Sequence, residues 1–172
     1  MNSMRKKVCF LDRDGVINID KGHITSKKQI FIYPDIFKIL RYLIKNKYLI
    51  VVITNQSVIG RGLINPIELD QIHNHLNNVL KKRNCKIDFF IYCPHHPNHG
   101  QGKYKINCNC RKPKHGMIEK FKSSQNIDFD KSFMIGDKLS DYIASKKAKI
   151  KFLFRPKILS VPKIKKLLIN ND

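Results

Sequence analysis

Two aspartates one residue apart, Asp12 and Asp14, stand directly after the apolar run Val8-Cys9-Phe10-Leu11 and are followed by Gly15. A carboxylate held beside a divalent cation stays ionised, and in that form it can attack phosphorus. A second carboxylate on the next turn can protonate a leaving alkoxide. It can then take a proton from the water that opens the phosphoenzyme. Gly15 permits the sharp turn this needs. Taken alone, the tetrad Asp12-Arg13-Asp14-Gly15 fits an Asx-turn at a strand end equally well. A second acidic group tips the reading toward chemistry: Gly136-Asp137-Lys138-Leu139-Ser140-Asp141 also follows an apolar run. Magnesium takes one or two carboxylates, the phosphate of a substrate and several waters. Asp137 is the expected direct ligand. Asp141, one helical turn on, either holds the site in place or is a first-turn acid that suits the helix dipole.

Thr54 and Asn55 close another apolar run, and a hydroxyl with backbone N–H groups in a turn can hold phosphate oxygens. Lys112, in Cys110-Arg111-Lys112-Pro113, precedes a helical segment, where an ammonium would offset phosphoryl charge in the transition state. Pro113 is expected at the first helical position. In a chain with 34 lysines and arginines a single lysine is ordinarily a solvated surface charge. Only its place in the pattern singles out Lys112.

Cys93-Pro94-His95-His96-Pro97 is followed by Cys108-Asn109-Cys110, with twelve residues between His95 and Cys108. Three thiolates and one imidazole make a tetrahedral zinc set, and four protein ligands make it closed and structural. On spacing alone, His95, His96 and His99 are all candidates. Such a site would staple the loop 93–111, which is long for a segment without a core of its own. It would also hold Arg111 and Lys112 against the acidic groups. Cys9 and Cys85 read as ordinary core or surface thiols.

These residues need a scaffold. Apolar, β-branched runs predict strands over Val8–Leu11, Tyr48–Thr54, Ile87–Tyr92, Ser132–Ile135 and Ile150–Phe154. Helical spacing or helix-start residues predict helices opening at Tyr33-Pro34-Asp35 and at Pro66. Further helices are predicted over Lys114–Ser123 and Leu139–Lys147, with a short basic one over Val161–Ile169. Strands alternating with helices imply an α/β fold, a three-layer Rossmann-like parallel sheet with helices on both faces. Ligands of such sheets sit beyond the carboxyl ends of the strands. Asp12, Asp14, Thr54, Asn55 and Asp137 all follow strands and should meet at one rim. No internal repeat or dividing linker is evident, so residues 1–172 read as a single domain.

The chain has 172 residues, 42% of them hydrophobic, enough for a substantial core. No apolar run reaches 18 residues, so no membrane helix is expected. The start is basic, and its apolar stretch is too short for a signal peptide, so a cytoplasmic protein is expected. Five cysteines, three of them in one histidine-rich loop, suggest metal rather than disulfides. The formal charge of +21 admits a polyanion partner or a compositional bias toward lysine, isoleucine and asparagine. The basic residues are dispersed, tryptophan is absent and no nucleic-acid motif is present, so no nucleic-acid partner is expected. A monomer is expected.

The segments FLDRDGVIN, ITNQSVIGRG, CPHHP, CNCRKP and FMIGDKLSD, in that order, resemble the haloacid-dehalogenase superfamily of phosphatases. More narrowly, they resemble its heptose 1,7-bisphosphate 7-phosphatase family. The resemblance runs from about Val8 to Phe154. It implies that Asp12 is the nucleophile and Asp14 the general acid/base, with Thr54 and Lys112 stabilising the phosphoryl group. It implies magnesium on Asp12, Asp137 and the main-chain carbonyl of Asp14, and zinc on Cys93, His95, Cys108 and Cys110. It implies a minimal cap and a small phosphorylated sugar as substrate. Substrate contacts would come from Asp20, Lys21, Gly22 and His23, from Thr54, Asn55, Gln56 and Ser57, and from Arg111, Lys112 and Lys138. The family's usual Thr is replaced by Val16, and its usual Gly after TNQS by Val58. A histidinol-phosphate phosphatase shares most of these features, but its zinc loop is shorter. A nucleic-acid end-processing or binding protein is the reading from another class.

Overall fold

The computed structural model describes residues 5–169. Five strands form one parallel sheet: β1 (Lys7–Leu11), β2 (Tyr48–Asn55), β3 (Phe89–Cys93), β4 (Phe133–Gly136) and β5 (Lys151–Phe154). Around them lie α1 (Pro34–Lys45), α2 (Ser57–Gly60), α3 (Pro66–Lys81), α4 (Gly116–Ser124), α5 (Leu139–Lys147) and α6 (Val161–Ile169). The spatial order is β3-β2-β1-β4-β5. The chain therefore builds outward from β1 on one side and then returns to build on the other. The crevice between β1 and β4 is the switch point where such sheets bind ligands. Asp12 and Asp137 follow those two strands.

The alternation of side chains along each strand divides the core in two. Cys9, Leu11, Ile50, Val52, Phe133 and Ile135 face α1, α3 and α6, whose Ile36, Ile39, Leu40, Leu43, Leu76, Leu80 and Ile164 are buried against them. Val8, Phe10, Val51, Ile53 and Met134 face α4 and α5, which contribute Met117, Ile118, Phe121 and Ala144. Both faces of the sheet are thus covered, as the near-continuous apolar strands require. Between β1 and α1 the chain forms only a short 3-10 turn, Lys27–Gln29, so this stretch adds no cap domain.

Local chemistry fixes the element ends. Asn65 and Glu68 form a reciprocal capping box at the start of α3, with N–H to carboxylate or amide oxygen distances of 2.8 and 2.9 Å. Asp35 in the first turn of α1 accepts two hydrogen bonds from Arg155, which anchors the segment after β5. The C-terminal helix does more than skirt a sheet edge, because Ile164 completes the core on the α1 face.

Two element starts differ from the sequence reading by two residues, and the remaining boundaries by at most one. The third strand begins at Phe89 rather than Ile87. The Asp88 N–H donates to the Ile50 carbonyl, and the Asp88 carboxylate accepts the Ile50 N–H at 2.9 Å, which replaces ladder pairing there. The helix expected from Lys114 begins at Gly116, and Pro113 lies in the turn before it, not at the first helical position. The Gly116 N–H bonds the Asn109 carbonyl, and any β-carbon at Gly116 would strike that same carbonyl. The chain must fold back on Asn109 before a helix can start, and this fold points Lys112 inward.

Candidate active site

The interior of the rim is built around Lys112, which is only 4% exposed. Its ammonium lies 2.9 Å from Asp12 Oδ1 and 2.7 Å from Asp141 Oδ1, and donates to the Ile53 carbonyl at 2.9 Å. The ammonium is thus held by one carbonyl hydrogen bond and two ion pairs. Burial works against the charge, but Asp12 and Asp141 hold the Lys112 ammonium above its ordinary value. Asn55 positions it: its amide donates to the Lys112 carbonyl and accepts the Lys112 N–H, both at 3.0 Å. A residue expected to touch substrate therefore spends its polar atoms on the backbone of the catalytic lysine candidate.

Asp12, Asp137 and Asp141 each offer a carboxylate oxygen within 4.8 Å of the others. Asp137 Oδ1 is buried and lacks a partner among the described residues. Asp12, Asp14 and Asp141 are buried with, among the described residues, only Arg13 and Lys112 as buried cations, and Asp137 adds further negative charge. Burial pushes Asp12 up to about 6 against the pull of Lys112, and burial also raises Asp137. An orphaned carboxylate oxygen, surplus negative charge and hard oxygen donors fit magnesium. Asp141 has a double role that the sequence left open. Its Oδ2 accepts the Lys138 N–H and caps α5, while its Oδ1 pairs with Lys112.

Gly15 has φ +83°, and a β-carbon there would collide with the Asp137 carboxylate. Gly15→Ala is therefore expected to cost about 1–3 kcal/mol of backbone strain. It should also weaken magnesium-dependent activity at least about tenfold by displacing Asp137. Thermal melts and a magnesium titration of activity check this.

Asp14 stands apart from the three-acid cluster. Its Oδ1 accepts from Arg13 Nε (3.0 Å), Arg13 Nη2 (2.9 Å) and Asn18 Nδ2 (2.9 Å). Its Oδ2 accepts from Arg13 Nη2 at 2.8 Å and from Gln56 Nε2 at 2.9 Å. Gln56 Nε2 also reaches Thr54 Oγ1 at 2.9 Å, so the acid/base candidate and the hydroxyl expected to hold phosphate share one amide. Gln56, like Asn55, is a positioning group here. Arg13, Asn18 and Gln56 were not among the catalytic residues expected from sequence. An arginine flanked by two aspartates was the available signal.

The other expected contacts lie above this floor. Asp20, Lys21, Gly22 and His23 form an exposed loop. Lys138 Nζ pairs with Asp20 at 2.7 Å, and this bond with the Gly22 N–H holds Asp20 below its ordinary value although burial opposes it. Lys21 sits over the Phe31 ring at 3.8 Å. Ser57 opens α2, half-buried. Val16 and Val58 are both buried, Val58 against Ile24 and Ile59, so both departures from the family pattern lie in packing.

The loop 93–111 closes on four ligating atoms. Cys110 Sγ lies 3.0 Å from Cys93 Sγ and 3.2 Å from Cys108 Sγ, and Cys93 and Cys108 are 3.5 Å apart. These separations exceed a disulfide bond of about 2.05 Å. His95 Nδ1 is 3.3 Å from Cys110 Sγ and 3.6 Å from Cys93 Sγ. His96 turns away, its Nδ1 accepting the backbone N–H groups of Asn98 and His99. Three sulfurs and one ring nitrogen gathered this tightly fit zinc in donor type and number. Arg111 Nη1 donates to the His95 carbonyl at 3.1 Å and so links the cluster to the rim.

Residues 7–152 match the family described as polynucleotide kinase 3 phosphatase. The chain is 42% identical over 146 residues to the D-glycero-beta-D-manno-heptose-1,7-bisphosphate 7-phosphatase of Pasteurella multocida, covering 85% of this chain and 79% of that one. It is 37% identical over 147 residues to the D-glycero-alpha-D-manno-heptose-1,7-bisphosphate 7-phosphatase of Campylobacter jejuni, covering 86% and 80%. Among solved structures, the D,D-heptose 1,7-bisphosphate phosphatase of B. bronchiseptica, complexed with magnesium and phosphate, superposes with a TM-score of 0.76 at 29% identity, covering 85% and 78%. With the acids, the buried lysine and the four-atom loop cluster set on this sheet, the chain belongs to the heptose 1,7-bisphosphate 7-phosphatase family of haloacid-dehalogenase-like phosphatases.

Proposed function

We propose that this chain is a magnesium-dependent phosphatase that removes the 7-phosphate of D-glycero-D-manno-heptose 1,7-bisphosphate through an aspartyl-phosphate on Asp12, a step toward ADP-heptose for the lipopolysaccharide core. The observation that carries the reading is the meeting of Asp12, Asp137 and Asp141 around Lys112 at the switch point of the sheet. An Asp12 oxygen attacks phosphorus, and the bond from phosphorus to the sugar oxygen breaks. Asp14 gives its proton to that oxygen. Asp14 then accepts a proton from water, which attacks the phosphorus and frees Asp12 with inorganic phosphate. Lys112 offsets the charge on the phosphoryl oxygens, and Thr54 donates to one of them. Asp12, Asp137 and the Asp14 carbonyl would hold magnesium, which supplies further neutralisation of that charge. Asp20, Lys138 and Arg111 stand where the sugar and its second phosphate would enter.

The same reading gives the loop 93–111 a structural zinc on Cys93, His95, Cys108 and Cys110, in one catalytic domain that acts as a monomer in the cytoplasm. Clustered free thiols suit a reducing compartment. Among the described residues no helix is long and apolar enough to cross a membrane. Stripping the zinc should free Arg111 from His95 and lower turnover roughly tenfold while magnesium dependence persists. Metal analysis of protein purified without chelators checks this, with one zinc per chain expected. Finding no zinc would refute the assignment.

Phosphate release from both anomers of the heptose bisphosphate, from histidinol phosphate and from a 3′-phosphorylated oligonucleotide tests the substrate. The heptose anomers should give a kcat/KM far above the other two. The name of the matched family makes the oligonucleotide the most instructive competitor, and faster release from it would overturn the sugar assignment.

A further inference from the structure

His73 is a buried histidine outside the motifs that define the site. It lies on α3 and is 3% exposed. Its ring stacks on Phe90 of β3, with centroids 4.4 Å apart and planes 13° from parallel. Its Nε2 lies 3.2 Å from Arg13 Nη1. A guanidinium has only donors, so Nε2 must be the acceptor and the ring proton belongs on Nδ1. Burial, reinforced by the charge of Arg13, pushes His73 down to about 3, in keeping with a neutral ring.

Arg13 is fully buried, and its guanidinium is strung between two partners. Nε and Nη2 grip the Asp14 carboxylate, and Nη1 meets His73. The stacked ring is the stiff end of this strut, since Phe90 fixes its plane. We infer that His73 is a positioning residue that sets the plane of Arg13 and, through Arg13, the placement of the Asp14 carboxylate during proton transfer. The inference rests on Asp14 being the general acid/base of a phosphatase.

Without the acceptor, Nη1 is left buried and unpaired, and the guanidinium turns to recover a bond. Asp14 then moves with it. Displacing an acid/base group matters most when the leaving group needs a proton. A sugar alkoxide needs one, whereas p-nitrophenolate leaves without much help. Structural damage elsewhere would not discriminate between the two.

The test compares wild type with His73→Phe, which keeps the stack and loses the acceptor, and with His73→Gln, which can still accept from Arg13. The substrates are heptose 1,7-bisphosphate and p-nitrophenyl phosphate. In the Phe variant kcat/KM, which reports phosphoryl transfer to Asp12 and not the hydrolysis common to both substrates, should fall on the order of 10- to 100-fold on the sugar phosphate. The aryl phosphate should lose only a few-fold, and Gln should restore most of the sugar-phosphate rate. If Phe does not fold, His73→Asn, too short to reach Arg13, takes its place against Gln. Equal losses on both substrates, or no loss on either, in a folded variant would overturn the role of His73. Asp14→Asn serves as the control. If it shows no preference for the aryl substrate, the assignment of Asp14 fails instead.

Discussion

Asp12→Asn is expected to abolish turnover, by at least about 10⁴-fold, while leaving the fold intact. The amide cannot attack phosphorus and is a poorer ligand for a divalent cation. The fold should tolerate it, because the amide still accepts from Lys112 and from the Arg13 N–H, which meets Asp12 Oδ1 at 2.8 Å. Burial lifts Asp12 to about 6, whereas an unfolded aspartate titrates near about 3.9. In the metal-free wild type the protonated form of Asp12 therefore favours folding. That contribution is full below about 3.9 and is lost as pH rises through about 6. The Asn variant removes this dependence. Steady-state assays and melts across pH 4–8 check both parts. Turnover near the wild-type rate would end the covalent proposal.

Lys112→Met is expected to damage stability and activity together. It leaves the Asp12 and Asp141 carboxylates buried without their shared cation. Breaking a buried ion pair from one side costs about 3–5 kcal/mol. For a domain of this size that corresponds to a melting temperature lower by roughly 10 °C. Loss of the charge aimed at the phosphoryl oxygens should lower kcat by about 10²–10³. Added magnesium should recover part of the melting temperature, because it restores positive charge beside the same acids. A melt unchanged from wild type would mean that Lys112 is not the centre of this network.

Much of the scaffold was legible because the signals were periodic. The strands are short buried runs, and the parallel order follows from helices between them. The placement of Asp12, Asp137 and Thr54 then followed from one topological rule. What stayed hidden was whatever depends on contacts between distant segments. Asn55 and Gln56 look like phosphate-loop residues, yet each is spent on another chain segment, Lys112 for Asn55 and Asp14 for Gln56. Asp141 read either as a group holding the site or as a helix-start acid, and it is placed for both, with one oxygen on the Lys138 N–H and the other on Lys112. Arg13 drew no role because nothing in the local sequence reports its burial, whereas here it is fully buried. His73 lies in a stretch with His75, Asn74, Asn77 and Asn78, where polar residues mask the buried face of α3. The Lys114 boundary failed because no local preference reports a backbone that must first close on Asn109.

The charge of the cluster also explains why the acids are arranged as they are. Among the described residues the two buried cations are outnumbered by the carboxylates at the rim, and Asp137 Oδ1 has no partner. A phosphorylated ligand alone would worsen the imbalance, and a divalent cation would offset it. Arg13 meanwhile grips the Asp14 carboxylate through Nε and Nη2 and holds it apart from the three-acid cluster.

The most direct test is a rapid acid quench during turnover of heptose bisphosphate labelled in its 7-phosphate, followed by peptide mapping. The account predicts label bound to the protein, stable in acid and lost in mild base, on the peptide containing Asp12, and absent from Asp12→Asn. Full turnover with no label on the protein at any quench time would contradict it.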